Sequence, residues 1–357
     1  MQTPPDIGGH AQPLLTISRL QKHFPLKGKL FGGGGDVVRA VDGIDFEVLK
    51  GETLGVVGES GCGKSTTARL MMQLIAPTAG EVIFDGRVVG GGDLPVKEFR
   101  RQVQMVFQDS YASLNPRLTI EDSVAFGPQV HGVPRSAAVN RARDLLARVG
   151  LEPQRFAERY PHELSGGQRQ RVNIARALAL QPRMVILDEA VSALDKSVEA
   201  QVINLLLDLK AEFGLTYVFI SHDLNVVRYI SDRVMVMYLG QVSEIGPSDT
   251  LYESPRHPYT RALLSSIPSM DPDYRTEKAA LAGDPPNPIN PPSGCRFHPR
   301  CASAAPVCSQ RVPVRVALGA RQAVSCLMYE PGSGHPSAQA PDQVAQVAHL
   351  QTFDRTH

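Results

Sequence analysis

The sequence predicts an α/β fold built around a parallel sheet. Three short, continuous apolar runs, Leu54–Val57, Met184–Leu187 and Tyr217–Ile220, are typical of strands that are buried on both faces of such a sheet. Between the second and third runs, Val198–Leu209 repeats apolar residues at helical spacing, and strands that alternate with helices indicate an α/β architecture. Hydrophobic residues make up 42% of the chain and charged residues 20%, which is enough apolar surface for a sizeable core.

Length and composition divide the 357 residues into two domains and a tail. We expect residues 1–267 to form the main α/β domain, with a mainly helical subdomain inserted at about 110–180. Residues 268–330 contain a cluster of prolines and all the cysteines but one, and they predict a small second domain. Residues 331–357 are small and polar and predict a disordered tail, and Gly32–Gly35 predicts a flexible surface loop.

Charge and hydropathy exclude or disfavour several classes of protein. The chain has 37 Lys and Arg against 36 Asp and Glu, a net charge of +1, whereas nucleic-acid binders normally carry a basic excess. No run of about 18 uncharged apolar residues is present, so we expect no membrane-spanning segment. Met1–Pro13 is polar and lacks the apolar core of a signal peptide, which predicts a cytosolic chain.

The strongest local motif is a glycine-rich loop that follows the first apolar run and opens a helix. It matches the phosphate-binding pattern G-x-x-x-x-G-K-[ST]. Its residues are Gly58, Glu59, Ser60, Gly61, Cys62, Gly63, Lys64 and Ser65, followed by Thr66. The glycines let successive backbone N–H groups approach phosphate oxygens, and the helix N-terminus adds partial positive charge. We expect Lys64 to reach the β- and γ-phosphates and the Ser65 hydroxyl to bind Mg²⁺.

An acidic pair follows the second apolar run and supplies the partner that a phosphate-binding loop needs. We expect Asp188 to hold Mg²⁺, usually through water, and Glu189 to act as the general base that polarises the attacking water. Acidic residues often end strands for structural reasons alone, so this interpretation depends on the presence of the loop. Together the two motifs predict a magnesium-dependent nucleotide-hydrolysing site.

A third motif, which lies between these two, brings a resemblance to a known family. It stands immediately before a helix, and its residues are Leu164, Ser165, Gly166, Gly167 and Gln168. The LSGGQ sequence and the order of the motifs resemble the ATP-binding cassette (ABC) ATPases. The resemblance implies a RecA-like core, an antiparallel β subdomain and a helical subdomain. It also implies a head-to-tail dimer in which each ATP lies between the phosphate loop of one subunit and the LSGGQ of the other. The hydroxyl and amides at this helix N-terminus agree with a second phosphate cradle.

The remaining functional positions of the family are also present in this sequence. Gln108 matches the Q-loop glutamine, which senses Mg²⁺ or the attacking water and links to the transmembrane partner. Asp195 matches the D-loop across the dimer interface, and His222 matches the switch histidine that contacts the γ-phosphate. Phe24 matches the aromatic residue that stacks on adenine, with the adjacent His23 as the alternative.

Three longer segments resemble the ATPase subunits of oligopeptide/dipeptide importers. Gln108–Arg117 is similar to that subfamily's Q-loop signature, His257–Leu264 is similar to its C-terminal motif, and Phe24–Phe31 favours the F-type subunit. The resemblance implies a subunit that binds and hydrolyses ATP to power peptide import across the cytoplasmic membrane. Alternatively, the same motor powers the import of nickel or another small solute. A soluble ABC ATPase of DNA repair or translation and an iron–sulfur carrier ATPase are further alternatives, disfavoured by the charge and by the LSGGQ motif respectively.

The resemblance also implies partners and a location. The expected partners are a second ABC ATPase subunit, two transmembrane permease subunits, and an extracytoplasmic substrate-binding protein that acts through the permease. The second ATPase is either a D-type paralogue in a heterodimer or an identical copy in a homodimer. No nucleic-acid partner is expected. The implied location is peripheral, on the cytoplasmic face of the inner membrane.

Four cysteines near the C-terminus form a candidate metal site. They are Cys295, Cys301, Cys308 and Cys326. Their spacing lacks the paired C-x-x-C of zinc knuckles, so disulfides, structural zinc with His298 as a substitute ligand, and a [4Fe–4S] cluster all compete. The resemblance of Gly294–Cys301 to cluster-bearing importers favours the [4Fe–4S] cluster, with Zn²⁺ as the alternative. Because the segment has few apolar residues for a core, we expect a bound metal to stabilise it.

The fifth cysteine, Cys62, occupies a variable position of the phosphate-binding loop. Packing is the simpler interpretation of this residue. A helix N-terminus can lower the pKa of a thiol, so Cys62 is also a candidate for oxidation or alkylation that inhibits ATP binding.

Overall fold

The computed structural model describes residues 12–26, 36–267, 283, 286–319 and 321–338. The strands in this part of the chain are β1 (Pro13–Pro25), β2 (Val37–Leu49), β3 (Thr53–Val57), β4 (Ala79–Phe84), β5 (Arg87–Val88), β6 (Val103–Val106), β7 (Met184–Asp188), β8 (Thr216–Ile220), β9 (Arg233–Tyr238), β10 (Gln241–Pro247), β11 (Val316–Gly319) and β12 (Gln322–Val324). The helices are α1 (Lys64–Met71), α2 (Val96–Gln102), α3 (Ile120–Val130), α4 (Arg135–Arg148), α5 (Pro153–Phe156), α6 (Gly166–Leu178), α7 (Lys196–Phe213), α8 (Leu224–Ile230), α9 (Ser248–Glu253), α10 (Pro258–Ser265) and α11 (Pro306–Gln310).

The chain folds into two compact units. Among the described residues, the first unit contains 12–20, Asp45–Val56 and Ser65–Ser231. The second unit contains 21–26, 36–44, Val57–Lys64 and the described residues from Asp232 onwards. The expected domain boundary between residues 267 and 268 falls inside the second unit.

The first unit is built around four parallel strands in the order β6-β7-β8-β3. Every residue of β3, β7 and β8 is buried, as expected for strands that are covered on both faces. The register places Asp188 opposite Ile220, so β7 and β8 end together at the carboxyl edge of the sheet. The three predicted strands and the α/β architecture are confirmed, and each strand is one residue longer than predicted.

Helix α7 follows β7 and is longer than the predicted Val198–Leu209. It begins after Asp195, whose side chain accepts a hydrogen bond from the Val198 N–H and so caps the helix. It ends at Gly214, which has a φ of 61° in the left-handed region that favours glycine. The buried residues of the helix include Val202, Leu206 and Leu209, which is the apolar stripe predicted from the sequence.

Helices α3 to α6 of the first unit lie inside the range predicted for the helical subdomain. The amino end of α3 is fixed because the Thr119 hydroxyl accepts a hydrogen bond from the Asp122 N–H. Glu121 on α3 forms an ion pair with Arg143 on α4, with 2.8 Å between Oε2 and Nε.

A separate sheet has the order β2-β1-β4-β5, and β4 and β5 pair antiparallel.

The second unit contains an antiparallel sheet in the order β9-β10-β12-β11. Val324, Cys326 and Tyr329 form a small buried core beside it. The expectation that this region has too few apolar residues for a core is therefore wrong. The ordered chain also continues beyond the predicted start of the tail at residue 331, since Ser333 and His335 are buried.

Two sequence expectations lie outside the described residues: the Gly32–Gly35 loop and the tail from residue 339 onwards. Among the helices that the structure describes, none combines the length and apolar character needed to cross a membrane.

Candidate nucleotide-binding site

The phosphate-binding loop, Gly58–Lys64, lies in the second unit and requires its glycines. Gly58, Gly61 and Gly63 have φ angles of 149°, 78° and 105°. A Cβ atom at Gly58 would lie 2.2 Å from the Met237 carbonyl oxygen, and one at Gly63 would lie 2.3 Å from the Ala40 carbonyl oxygen. Side chains larger than hydrogen at these two positions would therefore displace the loop.

Lys64 is buried and contacts the backbone of its own loop. Its Nζ donates hydrogen bonds to the carbonyl oxygens of Gly58, at 2.7 Å, and Glu59, at 3.1 Å. These contacts hold the ammonium group inside the curve of the loop, where a phosphate-binding lysine is needed.

Cys62, a residue of the phosphate-binding loop, is buried and is therefore unlike an exposed, reactive thiol. Its side chain is almost completely buried, and Sγ lies 3.9 Å from Nζ of Lys64. Burial raises the pKa of the Cys62 thiol, although the charge of Lys64 acts in the opposite direction. The expected lowering of this pKa is wrong, and packing is the better interpretation.

The carboxyl edge of the parallel sheet, in the first unit, brings a hydroxyl and a carboxylate together. Ser65 is the second residue of α1, and its Oγ donates a hydrogen bond of 2.9 Å to Oδ1 of Asp188 at the end of β7. Asp188 is buried, with 4% of its surface exposed. A serine hydroxyl and an aspartate carboxylate are the protein ligands that suit Mg²⁺ in a nucleotide site, so the pair fits the predicted ion.

Glu189 lies at the centre of a cluster at the same edge. Its backbone is left-handed, with a φ of 48°, and its N–H donates to the Ile220 carbonyl oxygen at 2.9 Å. Gln108 Nε2 donates to Oε2 of Glu189 at 2.8 Å, and Nδ1 of His222 lies 3.8 Å from the same oxygen. Three residues that sequence reasoning assigned to catalysis therefore lie together, although they come from three different segments.

The LSGGQ motif lies in the first unit and starts α6. The Ser165 hydroxyl accepts a hydrogen bond from the Gln168 N–H, and the Gln168 side chain accepts one from the Ser165 N–H at 2.9 Å. This reciprocal capping box fixes the helix N-terminus. A Cβ atom at Gly167 would lie 2.5 Å from Cγ1 of Val198, whereas one at Gly166 would meet nothing closer than 3.9 Å.

Asp195, which the sequence predicts at a dimer interface, caps helix α7 in the structure. Its Oδ1 accepts hydrogen bonds from the Val198 N–H at 3.0 Å and from the Ser197 hydroxyl at 2.8 Å. The bond from Val198 is the main reason that the pKa of Asp195 lies below its ordinary value.

Phe24 and His23, the two candidates for the adenine contact, lie at the end of β1 in the second unit. Phe24 is exposed, with Nζ of Lys22 at 5.1 Å from its ring centroid. Nε2 of His23 lies 2.7 Å from Oδ1 of Asp42. Phe24 is thus the more exposed of the two rings, and its stacking on adenine stays a prediction.

Two residues that sequence reasoning did not assign to the site contact the phosphate-binding loop. Arg300 forms an ion pair with the Glu59 carboxylate, and the Tyr259 hydroxyl accepts a hydrogen bond from the Glu59 N–H. A sequence signal for Tyr259 and Arg300 was present, because they lie in His257–Leu264 and Gly294–Cys301, the two C-terminal segments that resemble the importer family.

The four C-terminal cysteines line one small cavity together with His298 and His335. Burial raises the pKa of Cys295 to about 11 and that of Cys326 to about 12. Across the described residues, however, no group of three or more His, Cys, Asp or Glu side chains is placed to hold a metal ion. The donor atoms suit iron–sulfur or zinc chemistry, but their placement does not support the expected [4Fe–4S] cluster.

The fold and these motifs define an ABC-type P-loop ATPase. The family model for ABC transporters matches residues 41–192, and the model for the C-terminal region of oligopeptide/dipeptide transporters matches residues 243–308. The chain belongs to the ATP-binding subunits of the oligopeptide/dipeptide ABC transporter family, and it is an ABC transporter ATPase.

Two curated relatives match almost over their full length. The oligopeptide transport ATP-binding protein AppF of Bacillus subtilis is 49% identical over 323 residues, which is 89% of this chain and 98% of the relative. The probable peptide ABC transporter ATP-binding protein y4tS of Sinorhizobium fredii is 49% identical over 332 residues, which is 92% of this chain and 94% of the relative.

Solved structures with the same fold cover about two thirds of the chain. The ATP-binding cassette MJ0796, in a dimeric post-hydrolysis state with ADP and Pi, is 30% identical with a TM-score of 0.56 over 66% of this chain and 98% of that one. CbiO1 from Clostridium perfringens, part of the ABC transporter complex cbiONQ, is 27% identical with a TM-score of 0.58 over 68% of this chain and 91% of that one.

Proposed function

We propose that this chain binds and hydrolyses ATP to power the import of peptides across the cytoplasmic membrane. The cluster at Glu189 is the observation that carries the hydrolytic part of this proposal. A carboxylate held by Gln108 and close to His222 is positioned to accept a proton from an attacking water. Ser65 and Asp188 hold Mg²⁺, and Lys64 contacts the β- and γ-phosphates.

The remaining site residues divide between two phosphate cradles. Backbone N–H groups of Gly58–Thr66 surround the phosphates of one ATP, and Phe24 stacks on its adenine. Ser165–Gln168 and Asp195 contact the ATP that is bound by the other subunit of a head-to-tail dimer. The dimeric MJ0796 cassette among the structural neighbours supports this arrangement.

The peptide substrate is supported by the C-terminal region. The family model that matches residues 243–308 describes oligopeptide/dipeptide transporters, and the relatives AppF and y4tS are named for oligopeptide and peptide transport. When the ATPase dimer closes on ATP and reopens, the two permease subunits change the side of the membrane from which their peptide pathway is accessible. A D-type paralogue is the proposed second ATPase, and a binding protein delivers peptide from outside.

This function places the chain on the cytoplasmic face of the membrane, held there by the permease. Residues 1–267 act as the nucleotide-binding domain and residues 268–330 as the C-terminal domain of the importer family. The [4Fe–4S] cluster that the sequence predicts at the four cysteines, with zinc as the alternative, stays a prediction, because the described side chains are not placed to hold a metal ion. Buried thiols with raised pKa values line one cavity, and a bound cation would stabilise them as thiolates.

Uptake measurements in cells that lack the gene test the transported solute. Loss of uptake of a labelled dipeptide or oligopeptide, restored by the wild-type gene and not by the Lys64→Ala variant, is the expected result. Loss of nickel uptake with normal peptide uptake would instead identify a metal importer. Normal uptake of all these solutes would contradict an import function.

A further inference from the structure

The C-terminal region, by which we mean the described residues from 243 to 338, contacts the phosphate-binding loop at Glu59. Arg300 makes a bidentate ion pair with the Glu59 carboxylate, with Nη1 at 2.7 Å from Oε2 and Nη2 at 3.0 Å from Oε1. The Arg300 side chain is 5% exposed and that of Glu59 is 20% exposed, so the pair is largely shielded from solvent. Paired, partly buried guanidinium and carboxylate groups fix orientation as well as contributing energy.

Arg300 is itself held in place. Its Nη1 donates a second hydrogen bond, of 3.3 Å, to the Tyr238 hydroxyl, and its guanidinium lies 5.9 Å from the centroid of the Tyr238 ring. The bond to Glu59 is the main reason that the pKa of Arg300 is raised. An arginine guanidinium stays protonated in proteins, so its charge is available to the Glu59 carboxylate.

A second contact from the same region binds the backbone of Glu59. The Tyr259 hydroxyl accepts a hydrogen bond of 2.9 Å from the Glu59 N–H. Tyr259 is fully buried in an aromatic cluster formed by Tyr238, Tyr259 and Phe297, with ring centroids 4.6 to 5.3 Å apart. Because these rings pack against one another, the hydroxyl cannot move without disturbing the cluster.

The remaining polar group of Glu59 contacts the phosphate-binding lysine. Lys64 Nζ donates to the Glu59 carbonyl oxygen at 3.1 Å. Glu59 is thus fixed at its N–H by Tyr259, at its carboxylate by Arg300 and at its carbonyl by Lys64. If the contacts of Arg300 or Tyr259 with Glu59 change, Glu59 would shift, and its hydrogen bond with Lys64 would change in turn.

We propose that Arg300 and Tyr259 are positioning residues that act through Glu59 to hold the phosphate-binding loop in the conformation that binds ATP. The C-terminal region of this subunit is then part of its nucleotide-binding apparatus. The inference rests on ATP binding by this loop and is independent of the solute that is transported.

Nucleotide titrations of the full-length chain test the proposal. A fluorescent ATP analogue with Mg²⁺ gives the Kd, and unfolding curves without nucleotide verify that each variant is folded. We expect Arg300→Met and Glu59→Gln each to raise the Kd about tenfold, which corresponds to about 1.4 kcal/mol. The Glu59→Gln/Arg300→Met double variant should bind no more weakly than either single variant, because both remove the same interaction. Arg300→Lys should restore part of the affinity.

The matched control is Arg311→Met, which breaks an ion pair with Glu330 in the same region and leaves the loop untouched. Its Kd should stay within about twofold of wild type. In the reconstituted transporter, the Arg300 and Glu59 variants should raise the KM for ATP while kcat at saturating ATP changes less than KM.

Three results would overturn the positioning role: an unchanged Kd in Arg300→Met and Glu59→Gln, an equal increase in Arg311→Met, or additive effects in the double variant. If Arg300→Met does not fold, Glu59→Gln decides, and an unchanged Kd in that variant would overturn the positioning role. Failure of the wild-type chain to bind MgATP would instead contradict the proposed function.

Discussion

Glu189, the proposed general base, has an unusual backbone conformation. Its left-handed conformation, with a φ of 48°, is uncommon for a residue with a side chain, and such conformations persist where surrounding contacts enforce them. The hydrogen bond from the Glu189 N–H to Ile220 and the bond from Gln108 supply those contacts. The carboxylate is therefore directed to a position next to His222.

Replacement of Glu189 by Gln should separate ATP binding from hydrolysis. The substitution keeps the size of the side chain and removes the proton acceptor, so steady-state ATPase activity should fall by about 10²- to 10⁴-fold while ATP-driven dimer closure is retained. The control is Glu212→Gln, an exposed position on α7, which should leave both measurements unchanged. Near-normal ATPase activity in Glu189→Gln would remove this residue from the role of general base.

At the scale of elements, the start of α6 depends on close packing against α7. Gly167→Ala places a methyl group 2.5 Å from Val198 Cγ1. It should reduce the free energy of unfolding by about 1–3 kcal/mol, because a β-branched neighbour has little freedom to move. Denaturant unfolding is the measurement.

The neighbouring Gly166→Ala is the matched control. Its new methyl group meets Leu194 at 3.9 Å, an ordinary contact, and alanine is favoured over glycine in a helix. The unfolding free energy of this variant should equal or exceed that of wild type. Equal destabilisation by the two substitutions would show that the packing of Gly167 against α7 is not the cause.

The start of α10 should be sensitive to acid through His257. Burial lowers the pKa of His257 from its ordinary value of 6.5 to about 4, and Nδ1 accepts a hydrogen bond from the Tyr259 N–H. Between these two pH values the unfolded chain binds a proton that the folded chain excludes, so this contribution is complete above pH 6.5 and is lost as the pH falls towards 4. At about pH 5 the loss should be about 2 kcal/mol.

Unfolding at about pH 7.5 and pH 5 checks this value. His257→Asn keeps an acceptor that can cap the helix and removes the titrating ring, so this variant should lose less stability on acidification than wild type. His162→Gln, at an exposed position, is the control and should behave like wild type. The same loss in His257→Asn and wild type would contradict the role of His257.

For the whole molecule, the parts that sequence reasoning predicted are those encoded by local patterns. Buried parallel strands read as continuous apolar runs, and a phosphate-binding loop needs glycines at fixed spacing, so β3, β7, β8 and Gly58–Ser65 could be placed from the sequence. The contact of Arg300 with Glu59 could not be predicted from the sequence. The two residues are 241 positions apart, and no local sequence pattern indicates that they pair. The buried positions of Ser333 and His335 likewise depend on tertiary packing in a segment of polar composition.

Metal analysis of the whole chain tests the metal site that the sequence predicts at the four C-terminal cysteines. Protein purified without oxygen should contain iron and acid-labile sulfide, and Cys326→Ser should lose both because it removes one of the four thiolates. Cys62→Ser removes a thiol outside the cavity and should keep the metal. Zinc without sulfide would support the alternative ligand, and metal-free wild-type protein would contradict a metal site at these cysteines.

ATP hydrolysis by this chain should be coupled to peptide import. The most direct test of this coupling is ATPase activity in proteoliposomes that contain the chain, its second ATPase and the two permease subunits, with the binding protein added in empty or peptide-loaded form. We expect that the peptide-loaded binding protein stimulates hydrolysis, and that Glu189→Gln abolishes both hydrolysis and peptide uptake. Hydrolysis that is unaffected by the loaded binding protein, or peptide uptake that continues in Glu189→Gln, would contradict this coupling.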